Sequence, residues 1–220
     1  FPNAWGVLDS AIENKIFPGA QVTVVQKGEM VFSGGFGYHT YDSGSPPVNH
    51  ETVYDIASLT KVLSATPITM KLIVQKKLSL DHNVVQFYPQ FTGGGKENVT
   101  LRHLLTHSSG LPGYYQFFLD ENIKTNEDVL NYILNIDLLS QPGTHFEYSD
   151  LGFILLTTII EKVSNRSVDR LAHSWLYEPL EMKQTRYSPP AEWRKKIAPT
   201  EMDTVYRKRL LQGEVHDENT

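Results

Sequence analysis

The sequence predicts an α+β protein, and three observations carry that prediction. An amphipathic helical pattern opens the chain, two β-rich runs follow around a glycine-centred turn, and successive helical patterns fill the middle. Ala4, Trp5, Val7, Leu8, Ala11, Ile12 and Ile16 recur at helical spacing and stop at Phe17-Pro18-Gly19. Residues 21–25 and 30–32 are rich in β-branched and aromatic side chains and flank Lys27-Gly28-Glu29, which reads as a hairpin. Residues 33–49, rich in Gly, Ser and Pro, read as a loop.

From Ser58 the pattern turns helical. Val62, Leu63, Ala65, Ile68, Met70, Leu72, Ile73 and Val74 predict a helix running to Lys76-Lys77, kinked at Pro67. Residues 101–105 predict a short helix behind a Thr100 cap. Residues 126–139 and 151–163 predict two more, with a turn at Gln141-Pro142-Gly143 between them. After Tyr187 the pattern fades into Ser188-Pro189-Pro190 and a charged tail. The expected organisation is an N-terminal helix and hairpin over 1–57, a helix and helical lobe over 58–190, and an incomplete return segment toward the sheet over 191–220. Two strands make a poor sheet alone. Either the hairpin packs on helices, or the rest of the sheet lies beyond residue 220.

Composition narrows the function. Twenty Lys+Arg face 25 Asp+Glu, a net charge of −5 that disfavours a nucleic-acid partner. Arg194-Lys195-Lys196 and Arg207-Lys208-Arg209 sit among Glu192, Glu201 and Asp203 and read as solvated faces. Cysteine is absent, which excludes thiol catalysis, disulfides, iron–sulfur clusters and Cys-based zinc sites. The most apolar stretch, 151–163, is broken by Gly152, Thr157, Thr158, Glu161 and Lys162, short of the ~20 apolar residues a membrane span needs. The Phe1-Pro2 start reads as a processed or excised piece.

Two segments are candidates for chemistry. Ser58-Leu59-Thr60-Lys61 opens a predicted helix, and side chains three apart on a helix share a face, with Cβ atoms about 5–6 Å apart. A lysine in a dry pocket can take a serine proton, and the helix start offers N–H groups to an oxyanion. A serine cap followed by a surface lysine has the same spelling. Tyr148-Ser149-Asp150 precedes another apolar helix. There a tyrosine beside a cation can relay a proton, and Asp150 can hydrogen-bond the lysine. An aromatic packing residue before a helix cap would also look like this.

The two segments and the text around them resemble the serine β-lactamase/penicillin-binding-protein superfamily, most closely the branch of class C β-lactamases, D-Ala-D-Ala carboxypeptidases and related esterases. The resemblance spans nearly all of 5–220. It rests on Phe17-Pro18-Gly19-Ala20, Tyr54-Asp55-Ile56-Ala57-Ser58-Leu59-Thr60-Lys61, Lys77-Leu78-Ser79-Leu80-Asp81, Tyr88-Pro89-Gln90-Phe91, the run from Thr100 to Leu111, and Tyr148-Ser149-Asp150. It implies a β-lactamase/transpeptidase-like α+β fold, an antiparallel sheet flanked by helices with an inserted helical lobe. It also implies Ser58 as acylated nucleophile, Lys61 as its proton acceptor and Tyr148 as the relay to the leaving group. No cofactor and no metal are implied. The resemblance further implies a small-molecule or peptide substrate as partner and a periplasmic or secreted location.

Two departures stand out. Asp150 replaces the commoner Asn, and a carboxylate accepts but does not donate, which puts recognition of a β-lactam's amide side chain in doubt. The superfamily's third motif, Lys-Thr-Gly or His-x-Gly, does not follow Asp150. The expectation is therefore a C-terminally truncated module whose last sheet strands, and one oxyanion donor, belong to a missing C-terminal part that would act as its partner. Tyr114 and Tyr115, after Gly-Leu-Pro-Gly, are candidate substrate-binding residues. His103 and His107 have metal-ligand spacing but no intervening glutamate. Asn98-Val99-Thr100 and Asn165-Arg166-Ser167 fit the glycosylation pattern, with helix caps the competing use. The reading is an acyl-transfer serine hydrolase. The alternative is a non-catalytic binding or structural module of a larger secreted protein.

Overall fold

The computed structural model describes residues 2–219. Phe1 and Thr220, on which the processing and truncation expectations bear, lie outside the described residues. The chain divides into two compact units, one of residues up to Ala57 together with Ser188–His216, the other of Ser58–Tyr187 and the residues from Asp217.

In the first unit, helix α1 (Pro2–Glu13) precedes an antiparallel hairpin of β1 (Gly19–Gln26) and β2 (Glu29–Gly37). Lys27 and Gly28 both take positive φ, the geometry that two-residue hairpin turns demand. Trp5 of α1 lies on Phe32 and Phe36 of β2, with ring centroids 4.6 and 5.4 Å apart, and seats the helix on the hairpin. Gly35 has to be glycine, because a Cβ there would meet the Val48 carbonyl at 2.1 Å.

The tail is not featureless. Residues 201–203 (β3, Glu201–Asp203) and 209–211 (β4, Arg209–Leu211) form a second antiparallel hairpin. Asp203 organises its turn by accepting the N–H groups of Val205, Tyr206 and Arg207, each at 2.9 Å. Strands of three residues are too short to show alternation, which is why only charge was visible. Val53 N–H donates to Lys196 and Ala198 N–H donates to Val53, so the late segment is bonded to the early one. Residues 188–190, expected with the helical lobe, lie in this first unit.

The second unit is helical. A wide π turn (Lys61–Ala65) leads into α2 (Thr66–Val74), with Pro67 in the first turn of α2. Proline has no N–H for the preceding turn, so the expected distortion takes the form of this widened winding. Helix α2 ends before Lys76, which turns left-handed at φ 58°. Helix α3 (Leu101–Leu105) has a capping box between Thr100 and His103, and α4 (Asn126–Asn135) has one between Thr125 and Asp128. The latter helix stops earlier than expected, because Ile136 is extended. Helix α5 (Asp150–Ser164) starts at a Ser149 cap and ends at Asn165 in the left-handed conformation. Thr100 and Asn165, the glycosylation-pattern residues, thus act as caps. Helix α6 (Val168–Ala172) and a following π turn (His173–Tyr177) were not visible in the sequence.

The core of this unit gathers around α5. Leu151, Leu155, Leu156, Ile159 and Ile160 are buried with Ile68 and Leu72 of α2, Leu104 of α3 and Ile133 and Leu134 of α4. Lys96 is buried in the same unit, its ammonium donating to the Leu134 carbonyl at 3.0 Å and lying 5.5 Å from the Phe91 ring centre. Among the described residues no helix is long and apolar enough to cross a membrane.

Candidate active site

The candidate site assembles from two places in the second unit. Ser58 sits in the turn that opens the π-wound helix, where Lys61 N–H donates to its carbonyl at 3.0 Å. One turn on, the Lys61 ammonium donates to Ser58 Oγ at 3.1 Å. The same ammonium lies 2.7 Å from Asp150 Oδ1 in the first turn of α5. It also faces two rings, Tyr148 at 5.1 Å and Phe153 at 5.7 Å from their centres. Lys61 is the hub.

The segment carrying Tyr148 and Asp150 is held by the loop after α3. Gly143 N–H donates to Ser108, Glu147 N–H to His107 and Asp150 N–H to Gly113, at 2.8, 2.9 and 2.8 Å. Ser149 Oγ donates to the Pro112 carbonyl at 2.7 Å while capping α5 through Gly152 N–H. From the other side, Leu139 N–H donates to Gly110 at 2.7 Å. Gly110 (φ 83°) passes so close that a Cβ would stand 2.1 Å from the Ser140 carbonyl. The His-Ser-Ser-Gly-Leu-Pro-Gly run is therefore a backbone clamp on the Tyr148 segment.

Electrostatics bear on one expectation. Burial pulls the Lys61 pKa down, but hydrogen bonding to Asp150 and Tyr148 and the charges of both outweigh it and hold the pKa above the usual lysine value. In this state Lys61 is a donor to Ser58 rather than the free amine that a proton acceptor requires. Asp150 Oδ1 is shielded from solvent, so the ammonium is its neutralising partner.

Ser58, Lys61, Tyr148 and Asp150 thus come together. Tyr115 is committed elsewhere: its hydroxyl donates to Asp120 at 2.8 Å and its ring lies 4.2 Å from that of Tyr132. Tyr114 borders a separate depression with Leu119, Glu121 and Asn122. His103 is spent on its capping box, and no cluster of metal-ligating residues occurs among the described residues. What the sequence reading missed is His107, weighed only as half of a metal pair. Its ring packs 4.4 Å from Tyr148 and 5.0 Å from Phe153.

A helical unit that presents Ser-x-x-Lys at a helix opening against a tyrosine–carboxylate segment is the arrangement of the β-lactamase-like serine hydrolase superfamily. The chain belongs to the Beta-lactamase family, whose profile matches residues 8–220. It is 32% identical to an N-acetylmuramyl-L-alanine amidase of Bacillus subtilis (strain 168), over 96% of this chain and 55% of that one. Among solved structures, it is similar to the octameric penicillin-binding protein homologue from Pyrococcus abyssi (30% identity, TM-score 0.76, 96% of this chain and 50% of that one). It is also similar to EstCE1, a hydrolase with promiscuous acyltransferase activity (25% identity, TM-score 0.78, 98% and 59%). The fold is the β-lactamase/transpeptidase-like one. The chain spans about half the length of these relatives.

Proposed function

We propose that the whole protein is an acyl-transfer hydrolase with Ser58 as nucleophile, Lys61 and Tyr148 as its proton-handling pair, and Asp150 as a substrate-facing residue that also charges Lys61. The observation that carries this reading is the single ammonium shared by Ser58 Oγ and Asp150 Oδ1 beneath the Tyr148 ring. Ser58 Oγ attacks the carbonyl carbon as its proton passes to Lys61 in its free-amine form; Tyr148 gives its hydroxyl proton to the leaving group and regains one from Lys61 as the C–O or C–N bond breaks. Water then cleaves the Ser58 ester. The Ser58 N–H, at the helix opening, is one oxyanion donor. The substrate class is a carboxylic ester, a D-Ala-D-Ala peptide or a β-lactam. An extracytoplasmic location accompanies this reading.

The test is covalent labelling of the full-length protein with a fluorescent phosphonate and a fluorescent penicillin. Label is expected on the peptide containing Ser58 and absent in Ser58→Ala, with turnover lowered by several orders of magnitude. Labelling that survives Ser58→Ala would refute the assignment. A wild-type protein inert to both probes would leave the family's fold serving as a binding module.

A further inference from the structure

Of the groups around the site, His107 has the most unusual placement. It is a non-glycine residue at φ 52°, in the left-handed region where a Cβ crowds the backbone. It occupies that conformation just beyond α3, and the consequence is local and specific. Its carbonyl accepts the N–H of Glu147 at 2.9 Å, and its Nδ1 accepts the N–H of Ser149 at 3.0 Å. The residues on either side of Tyr148 are thus both bonded to this one histidine. Between those bonds the imidazole lies against the Tyr148 ring, centroids 4.4 Å apart and planes 30° apart, with Phe153 and Phe146 completing its surroundings.

An imidazole nitrogen that accepts a backbone N–H carries no proton, so the neutral ring bears its proton on Nε2. We propose that His107 is a positioning residue of the candidate site, holding Tyr148 against Lys61 through the Ser149 N–H bond and the stacked ring, and that it does so only while its imidazole is neutral. The proposal rests on the acyl-transfer reading for what Tyr148 does, but not for how Tyr148 is held. Protonation would put an N–H on Nδ1 facing the Ser149 N–H, two donors where one bond had been. It would also set a second cation beside the Lys61 ammonium. The charged and titratable groups facing the ring are Lys61 from the π turn, Asp150 from α5 and Tyr148 itself. Burial first, then the Lys61 charge, lower the His107 pKa, while the Asp150 charge raises it less. The neutral form therefore prevails at pH 7, and the bond fails only in acid, below the ordinary histidine value of 6.5.

Two substitutions separate positioning from packing. In His107→Asn the new side chain tolerates the left-handed backbone and offers its Oδ1 to the Ser149 N–H, but does not titrate. His107→Phe keeps a ring against Tyr148 and loses the acceptor. Nitrogen-15 NMR of the wild-type full-length protein is expected to show the Nε2–H tautomer at pH 7. The Tyr148 ring signals should shift as pH falls below 6.5, the ordinary histidine value, and this shift should vanish in H107N. With a small ester substrate, H107F is expected to lose about 10–100-fold in kcat with KM little changed. H107N should recover most of that loss and lose the His-dependent acid limb of the pH profile. Thermal unfolding of each variant checks that it is folded at the assay temperature. The NMR arm stands whether or not Ser58 turns over any substrate, so its failure is distinct from failure of the function. An Nδ1–H tautomer, Tyr148 signals indifferent to His107, or an H107N acid limb identical to wild type would overturn the proposal. So would an H107F that labels Ser58 at the wild-type rate.

Discussion

Lys61 shows how one neighbour changes the chemistry that a motif spells. Ser-x-x-Lys alone suggests an amine ready to accept a proton, whereas Asp150 keeps that amine charged. The raised pKa stabilises the fold fully below the ordinary lysine value and is lost as pH rises through the folded one. Asp150→Asn removes the charge and leaves burial, which pulls the other way, more nearly unopposed. The ionisation that controls Ser58 labelling is therefore expected to move to lower pH in D150N, read as second-order labelling rate between about pH 6 and 11. An unmoved profile would detach Lys61 from the proton transfer. Lys61→Met is expected to abolish labelling, and Tyr148→Phe to keep the fold while lowering turnover. Wild-type turnover in both would exclude the Ser58–Lys61–Tyr148 mechanism. The pairing of Asp150 with Lys61 was legible in the sequence once both were placed near Ser58. Its effect on the proton was not, because that depends on a 2.7 Å contact in a half-buried setting.

At the level of elements, the decisive piece is a loop rather than a helix. The 107–113 segment has no regular structure beyond α3, yet its backbone and side chains hold the chain on both sides of Tyr148. Gly110 is its tightest point. Gly110→Ala adds a Cβ that would overlap the Ser140 carbonyl and forces a left-handed L-residue as well, so it is expected to cost about 3 kcal/mol or more. Gly93 shares the positive φ but has nothing within 4 Å of the added atom, so Gly93→Ala is expected to cost only about 1 kcal/mol. Chemical denaturation of the two variants compares them, and equal losses would mean that the clamp is not a constraint. Helices with long apolar faces, such as α5, were legible because burial on one side repeats every three or four residues. Helix α6 and the β3–β4 hairpin were not, since five and three residues hold too few repeats to register a period.

Across the whole molecule, the shifted histidines and carboxylates point in one direction. Burial lowers the pKa of His39 in the first unit and of His107 in the second. Carboxylates are lowered by backbone N–H groups that donate to them: Glu97 by Gly93, Asp120 by Asn122, Asp128 by Lys124 and Asp203 by Arg207. A depressed pKa contributes stability that is complete above the unfolded value and lost as pH falls through the folded one. For the histidines that loss begins below 6.5, and for the carboxylates below the ordinary 3.8 to 4.5. The melting temperature is therefore expected to be flat from about pH 8 to 6.5, to decline gently to about pH 4.5 and then to drop steeply. His107→Asn should flatten part of the gentle decline, because the new amide accepts the same N–H without charging. Asp203→Asn should lower stability at pH 7 and soften the steep part, because its amide nitrogen cannot accept one of the three N–H groups. Calorimetry at half-unit pH intervals reads both effects, and a melting temperature that rises between about pH 6.5 and 5 would contradict the assignment of neutral histidines to both units.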